Sequence, residues 1–417
     1  VIGTIQINID RLNKDLDKYA RFGEDPEGGI TRPSFSEPDL GVRKLFIKEL
    51  RYLGLEVSID GAGNIWGSLK GSGKKSGSIV IGSHLDTVPN GGKYDGALGT
   101  LMAKEIIRTI IDNKISLDHD VDIVSFTAEE SNDFNISTFG SRSFAGRLSP
   151  GFIKGVSDSN GLRLADALKS VDGGIDRYAS MNYLRKDKKA FIELHIEQGK
   201  RLEDKNISAA VVDNMVGIYR NTVTVTGEAN HSGTTMMADR NDALTAAAEI
   251  ILAIERLGNA DPTDLVATVG RLSVAPNAVN IVPGKVEFTF EIRGETESSV
   301  QKMIESIQDY CEEVSEKRRV TIDQEVIQDQ KPVAMDAGIV HILQKTAEEL
   351  SEPYLTVTSM ARHDAGYMTE VCKSAMLFVK SIDGKSHCPE EYSTLDDIEK
   401  AGNVMLQGIL NVDRELD

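Results

Sequence analysis

Short apolar runs alternate with stretches of helical period through the first half of the chain. Ile65–Leu69, Ile79–Gly82 and Asp122–Phe126 are compact and β-rich, while Pro38–Tyr52 and Leu98–Asp112 carry apolar residues at helical spacing. Strand and helix in turn predict a mainly parallel sheet with helices on both faces. The rhythm changes after Val212. Ile218–Val225 alternates like a half-exposed strand, Asn241–Glu255 is helical, and Leu265–Val274 and Lys285–Arg293 read as strands. Ser298–Glu316 reads as a helix and Val320–Val326 as a last strand, which completes the split βαβ order of a ferredoxin-like domain. From Gln330 the first rhythm returns, with a helix near Ala337–Leu350, a strand at Ala375–Val379 and a helix at Leu395–Val412. The predicted architecture is α/β. A domain with a mixed, mainly parallel sheet covers 1–212 and 330–417, and a smaller α+β domain is inserted at 213–329.

Length agrees, because 417 residues exceed one typical core. A net charge of −18 argues against nucleic acid or an anionic membrane surface as partner. The sequence holds no run of eighteen apolar residues that would span a membrane. Val1–Ala20 mixes apolar residues with Asp10, Arg11, Lys14, Asp15 and Lys18, a helix pattern rather than a secretory leader. Cys311, Cys372 and Cys388 are too few and too scattered for a disulfide framework, so a reducing cytoplasm is the simplest compartment.

Charge stands where buried strands end. The run Ser78–Gly82 leads into Ser83-His84-Leu85-Asp86-Thr87 and then Gly91-Gly92-Lys93-Tyr94-Asp95-Gly96, and Val121–Phe126 leads into Thr127-Ala128-Glu129-Glu130. Open sheets bind ligands beyond the carboxyl ends of their strands, and buried charges are rare unless paired or bound to metal. Five of the seven histidines, His84, His195, His231, His363 and His387, fall at such strand ends or in loops. His119, in Asp118-His119-Asp120, precedes its strand and is read as structural. His84, Asp95, Glu130, His195 and His387 supply the imidazoles and carboxylates of a two-metal site with one shared carboxylate. Asp86, two residues after His84, is placed to hold that imidazole through its other nitrogen. Glu129 and Glu130 diverge as neighbours, so one binds metal while the other accepts a proton.

These motifs in this order resemble the hydantoinase/carbamoylase branch of the two-metal aminopeptidase-like amidohydrolases. The resemblance also takes in His195-Ile196-Glu197-Gln198-Gly199, Asn230-His231-Ser232-Gly233-Thr234-Thr235, Pro276-Asn277-Ala278-Val279-Asn280, Arg293, His363-Asp364-Ala365 and Ser386-His387. It implies that Asp95 bridges two ions, that His84 and Glu130 belong to different ions, and that Glu129 is the general base. It leaves open which ion His195 serves. His231, Asn280 and Arg293 of the inserted domain resemble a substrate-binding trio, joined by Gln198 and His363. The metals implied are zinc or manganese, with cobalt or nickel also suited to such ligands. The partner implied is a second copy, docked through the inserted lid domain, with a lid histidine crossing between subunits.

The expected reaction is hydrolysis of a ureido C–N bond on a small carboxylate substrate, an N-carbamoyl-L-amino acid first of all. Allantoate, ureidoglycolate and β-ureidopropionate use the same chemistry, and an aminoacylase or dipeptidase would use the same metals.

Overall fold

The computed structural model describes residues 5–417, which form two compact units. The first unit runs to Asp213 and takes up Met335–Val357 and His363–Asp417. The second comprises Asn214–Ala334 and Thr358–Arg362.

The main sheet has nine strands, in the spatial order Glu56–Ile59, Ile65–Leu69, Asp120–Phe126, Ser78–His84, Lys188–Ile196, Lys373–Val379, Ala209–Met215, Val333–Ala334, with Tyr354–Ser359 also pairing with Ala209–Met215. Its four middle strands are mutually parallel, and the other strands of that order join antiparallel. Parallel strands covered on both faces read as near-continuous apolar runs. Accordingly every residue of Ser78–His84 is buried. The helix Glu37–Tyr52 starts where Ser36 Oγ accepts the Asp39 N–H and Pro38 fixes the first turn. The apolar face of Ala97–Asp112 packs against Ser78–His84, with Leu98, Leu101, Met102 and Ile106 fully enclosed.

The second unit holds a four-stranded antiparallel sheet, ordered Thr321–Gln330, Gly217–Thr226, Lys285–Gly294, Val266–Ala275, and the short pair Asn230–His231 with Ile281–Val282. The chain order strand–helix–strand–strand–helix–strand is completed by Ala243–Ala260 and Glu297–Arg318. Along Lys285–Gly294 buried residues alternate with half-buried ones, and Phe288, Phe290 and Ile292 meet Ile250, Ile254, Met303 and Ile307 of the helices in the core. The short return of Thr358–Arg362 to this unit has no periodicity that would reveal it. Among the bonds that hold it, the Val216 N–H donates to the Ser359 carbonyl, Arg293 Nη1 to the Met360 carbonyl at 2.8 Å, and Thr358 Oγ1 to Glu295 Oε1 at 2.8 Å.

Candidate metal centre

The four parallel strands of the first unit deliver the site at one end. His84 closes Ser78–His84, Glu129 and Glu130 follow Asp120–Phe126, His195 stands next to last in Lys188–Ile196, and His387 follows Lys373–Val379. From Ser78–His84 the chain crosses to Asp120–Phe126 on one side, then returns to Lys188–Ile196 on the other. Strand ends separated by such a reversal form a ligand crevice.

Backbone carbonyls set the two buried imidazoles. His84 Nδ1 lies 3.0 Å from the Asp86 carbonyl and His195 Nδ1 lies 3.0 Å from the Ile196 carbonyl. A carbonyl only accepts, so each Nδ1 carries a proton and each Nε2 faces inward. His195 Nε2 is 3.2 Å and His84 Nε2 3.6 Å from Asp95 Oδ1. On the other carboxylate oxygen, Asp95 Oδ2, His387 Nε2 approaches to 3.2 Å, and it lies 3.1 Å from Glu130 Oε1. The donors thus form two groups, His84–Asp95–His195 and Asp95–Glu130–His387, that share the two oxygens of Asp95. His195, left open by the sequence, falls with His84. A further buried group, Glu193–His195–His363, shares His195, and the His363 ring centroid lies 4.4 Å from that of His195.

The loop carrying Asp95 is bent by a tight turn. The Ala97 N–H donates to the Asp95 carbonyl at 2.6 Å across Gly96, whose φ of 64° and ψ of −50° describe a γ-turn of the positive-φ kind. A methyl on Gly96 would fall 2.2 Å from His84 Cε1. Glu391 Oε1 accepts the N–H groups of Tyr94 and Asp95 at 2.9 and 3.0 Å. Asp86 meets His84 Nδ1 twice: its carbonyl lies 3.0 Å and its carboxylate Oδ1 3.7 Å from that nitrogen, while the carboxylate also accepts the N–H groups of Glu129 and Glu130 at 3.3 and 3.0 Å. The chain reverses at Ala128 (φ 55°), so that carboxylate fixes the turn from which both glutamates project. Glu129 Oε2 stands 3.7 Å from His84 Nε2.

Negative charge is crowded here. Burial first, then Glu130, Asp364 and Asp86, push Glu129 well above the usual carboxylate range. Burial followed by Glu193 pushes Asp364 to about 8, and burial followed by Asp95 pushes Glu391 to about 7. Burial opposes charge on His195, yet Asp95 raises it to about 9, and Asp95 with Glu130 raises His387 to about 10. The cluster demands positive charge at the Nε2 atoms.

In the second unit, His231 sits in the pair Asn230–His231 against Ile281–Val282. Its Nδ1 accepts the N–H groups of Gly233 and Thr234 at 2.9 and 3.2 Å, which leaves Nε2–H as an exposed donor. Asn280 is its neighbour across the pair, where its carbonyl accepts the Ser232 N–H. Arg293 is not with them. It lies at the far end of Lys285–Gly294, roughly 25 Å away along extended chain, with Nε on Glu291 at 2.6 Å. Its guanidinium is therefore already engaged on Nε and Nη1, rather than offering an open fork.

The sequence pattern of peptidase family M20/M25/M40 matches residues 80–411. The chain belongs to this family. It is 33% identical over 396 residues to the N-carbamoyl-L-amino acid amidohydrolase of Geobacillus stearothermophilus, covering 95% of this chain and 96% of that one. It is 34% identical over 391 residues to the allantoate amidohydrolase of Escherichia coli (strain K12), covering 93% and 94%. The crystal structure of a hydantoinase/carbamoylase family amidase from Burkholderia multivorans superposes with a TM-score of 0.90 at 30% identity, covering 100% of both chains. This M20 chain is an amidohydrolase-type enzyme of a metal-dependent family.

The residues fit divalent cations. His84 Nε2 is buried without a hydrogen-bond partner, and the imidazole and carboxylate atoms of each group lie within 4.8 Å of one another. Cations at those Nε2 atoms answer the charge demand that protons would otherwise meet. Four residues of this M20 site escaped the sequence reading: Glu193, Asp364, Ser386 as a partner of Asp95, and Glu391. Glu193 is a charge inside the apolar strand Lys188–Ile196, a signal that was legible. Glu391 follows Glu390, and adjacent acids in a loop give no signal of burial. His119 is structural as read, its Nδ1 2.9 Å from Asp413 Oδ1 in a buried pair.

Proposed function

We propose that this enzyme hydrolyses the C–N bond of a ureido group on a small carboxylate substrate, most directly an N-carbamoyl-L-amino acid. The observation that carries the reading is Asp95 shared between two donor groups, with Glu129 beside them. Zinc or manganese, held by His84, Asp95 and His195 and by Asp95, Glu130 and His387, would supply Lewis acidity toward water and a carbonyl oxygen. Glu129 takes the proton of the attacking water at Oε2 and hands it to the departing nitrogen, a role worth about 10²–10⁴ in rate. The Asp86 carboxylate keeps Glu129 and Glu130 aimed apart by holding their N–H groups. His231 donates from Nε2 to the oxyanion, Asn280 and Gln198 bond the ureido group, and His363 walls the pocket beside His195. Arg293 pairs with the substrate carboxylate through its remaining N–H donors. The products are ammonia, carbon dioxide and the free amino acid.

We further propose a homodimer through the second unit. His231 and Asn280 stand too far along the sheet from Arg293 to meet one small substrate within a single chain. The active assembly then combines Arg293 of one protomer with His231 of the partner subunit. The free cysteines Cys311, Cys372 and Cys388 support a cytoplasmic setting. Among the described residues no helix is long and apolar enough to cross a membrane.

Support for a ureido substrate comes from the names of the relatives. The test is product release by purified protein supplemented separately with zinc, manganese and cobalt. The panel holds N-carbamoyl-L-amino acids, allantoate, ureidoglycolate, β-ureidopropionate, N-acetyl amino acids and dipeptides. Ammonia from a ureido compound supports the reading and ranks the substrates. Turnover of acyl or peptide substrates alone would replace it with an aminoacylase or dipeptidase.

A further inference from the structure

Behind Asp95 lies a chain of polar groups, of which the proposed reaction uses only Gln198. Gln198 Nε2 donates to Asp95 Oδ2 at 2.8 Å and reaches Ser386 Oγ at 3.2 Å. Ser386 Oγ stands 2.9 Å from Asp95 Oδ2 and 3.0 Å from Glu391 Oε2. Glu391 is buried, and its other oxygen accepts the N–H groups of Tyr94 and Asp95. A side chain on Gly92 would collide with Glu391, since its Cβ would fall 2.1 Å from Oε1, so the loop is shaped to let this carboxylate in.

A serine hydroxyl has one proton to give. Ser386 therefore donates either to Asp95 Oδ2 or to Glu391 Oε2, and the choice matters. Asp95 Oδ2 is the oxygen facing Glu130 and His387. A proton donated there occupies a lone pair that a cation in that group would take.

We infer that Glu391 is a positioning residue for the Asp95–Glu130–His387 cation. It holds the Asp95 backbone with one oxygen and draws the Ser386 hydroxyl proton with the other, which keeps Asp95 Oδ2 open toward the metal. The inference rests on the two-metal reading above. It assigns the direction of one hydrogen bond, and that direction can be reversed. In Glu391→Gln the amide oxygen still accepts from Tyr94 and Asp95, while the amide nitrogen donates to Ser386 Oγ. The Ser386 proton must then turn onto Asp95 Oδ2. Adding Ser386→Ala removes that proton altogether and frees the oxygen again.

The experiment is calorimetric titration of metal-stripped protein with cobalt(II) alone, followed in parallel by the visible absorption of the bound ion. Wild type should take up two equivalents, and fewer would sink the two-metal reading and this inference with it. With two in wild type, E391Q should bind the equivalent at Glu130 and His387 about tenfold less tightly, the scale typical of outer-sphere partners of a metal ligand. The other equivalent, held by His84 and His195, should keep its affinity and its absorption band. The double variant E391Q/S386A should bring the lost equivalent back to within about twofold of wild type, a rescue that general damage to the loop would not show. Both equivalents weakening together in E391Q, or a double variant no better than E391Q, would overturn the inference. Should E391Q fail to fold, S386A alone decides: both equivalents as tight as in wild type support the inference, and a weakened equivalent at Glu130 and His387 refutes it.

Discussion

Replacing Gly96 by alanine tests whether the turn at Asp95 sets the metal site. Two costs are separable. The first is conformational: a side chain at φ 64° and ψ −50° is strained by about 1–3 kcal/mol. The second is steric. The new methyl would lie 2.2 Å from His84 Cε1, where carbon atoms settle at about 3.5 Å, so the ring or the turn must give by about 1.3 Å. The ring is fully buried and pinned at Nδ1, and the turn carries Asp95, so either movement separates His84 from Asp95. A misplacement of about 1 Å in a catalytic group costs on the order of 10²-fold. Gly54→Ala is the control, with φ 82° and nothing within 4 Å of its built Cβ. Thermal unfolding, cobalt affinity and kcat would be measured for both. The expected result is a loss of stability in both, larger in G96A by its steric cost, with cobalt affinity and kcat falling at least tenfold only in G96A. A G96A enzyme with wild-type metal affinity and kcat would refute the argument that this glycine is required by the His84 ring.

Glu129→Gln should lower kcat by about 10²–10⁴ or more while both metal equivalents remain, and loss of metal would show that Glu129 and Glu130 had been assigned the wrong way round. Asp413→Ala removes the buried partner of His119 and the acceptor of the Asp118 and His119 N–H groups, so the protein should lose about 3–5 kcal/mol with kcat/KM of the remaining folded enzyme unchanged. Glu49 is held down to about 2, since Lys104, Lys18 and Tyr19 outweigh the opposing effect of burial. A depressed carboxylate stabilises the fold above its ordinary value and ceases to as pH falls toward 2, so Glu49→Gln should flatten the acid limb of stability between about 4.5 and 2, and parallel limbs would refute the assignment. Mixing inactive H231A and R293A homodimers should restore turnover after subunit exchange, because one site of each mixed dimer is intact, whereas continued silence would place both residues on the same chain's site.

The elements most legible in sequence were those whose burial is uniform. Ser78–His84 and Asp120–Phe126 are enclosed on both faces, so their apolar runs stand out, and the charged residues just beyond them stand out by contrast. The strand Glu56–Ile59, half exposed at the sheet edge, has no such contrast and was not read. Site residues were legible when their chemistry differs from that of a surface. Histidines at strand ends met that test, while Glu391 and Asp364 did not, since a buried carboxylate and a solvated one have the same letter. Roles that depend on which atom points where were also hidden. Asp86 brings both its carbonyl and its carboxylate to His84 Nδ1, and the second task of that carboxylate, holding the N–H groups of the Glu129 turn, has no sequence signal.

The strand order of the first unit has a consequence for synthesis. Lys373–Val379 lies between Lys188–Ile196 and Ala209–Met215, although it emerges from the ribosome long after both. At about 5–20 residues per second, the intervening chain takes on the order of ten to thirty seconds to appear. During that interval Lys188–Ile196, seven of whose nine residues are buried in the finished fold, has an open edge toward the missing strand. The second unit, whose main body is contiguous from Asn214 to Ala334, emerges within the gap and can fold while the first waits. The nascent chain thus passes through a stage in which the second unit can already fold while a sheet edge of the first stands uncovered.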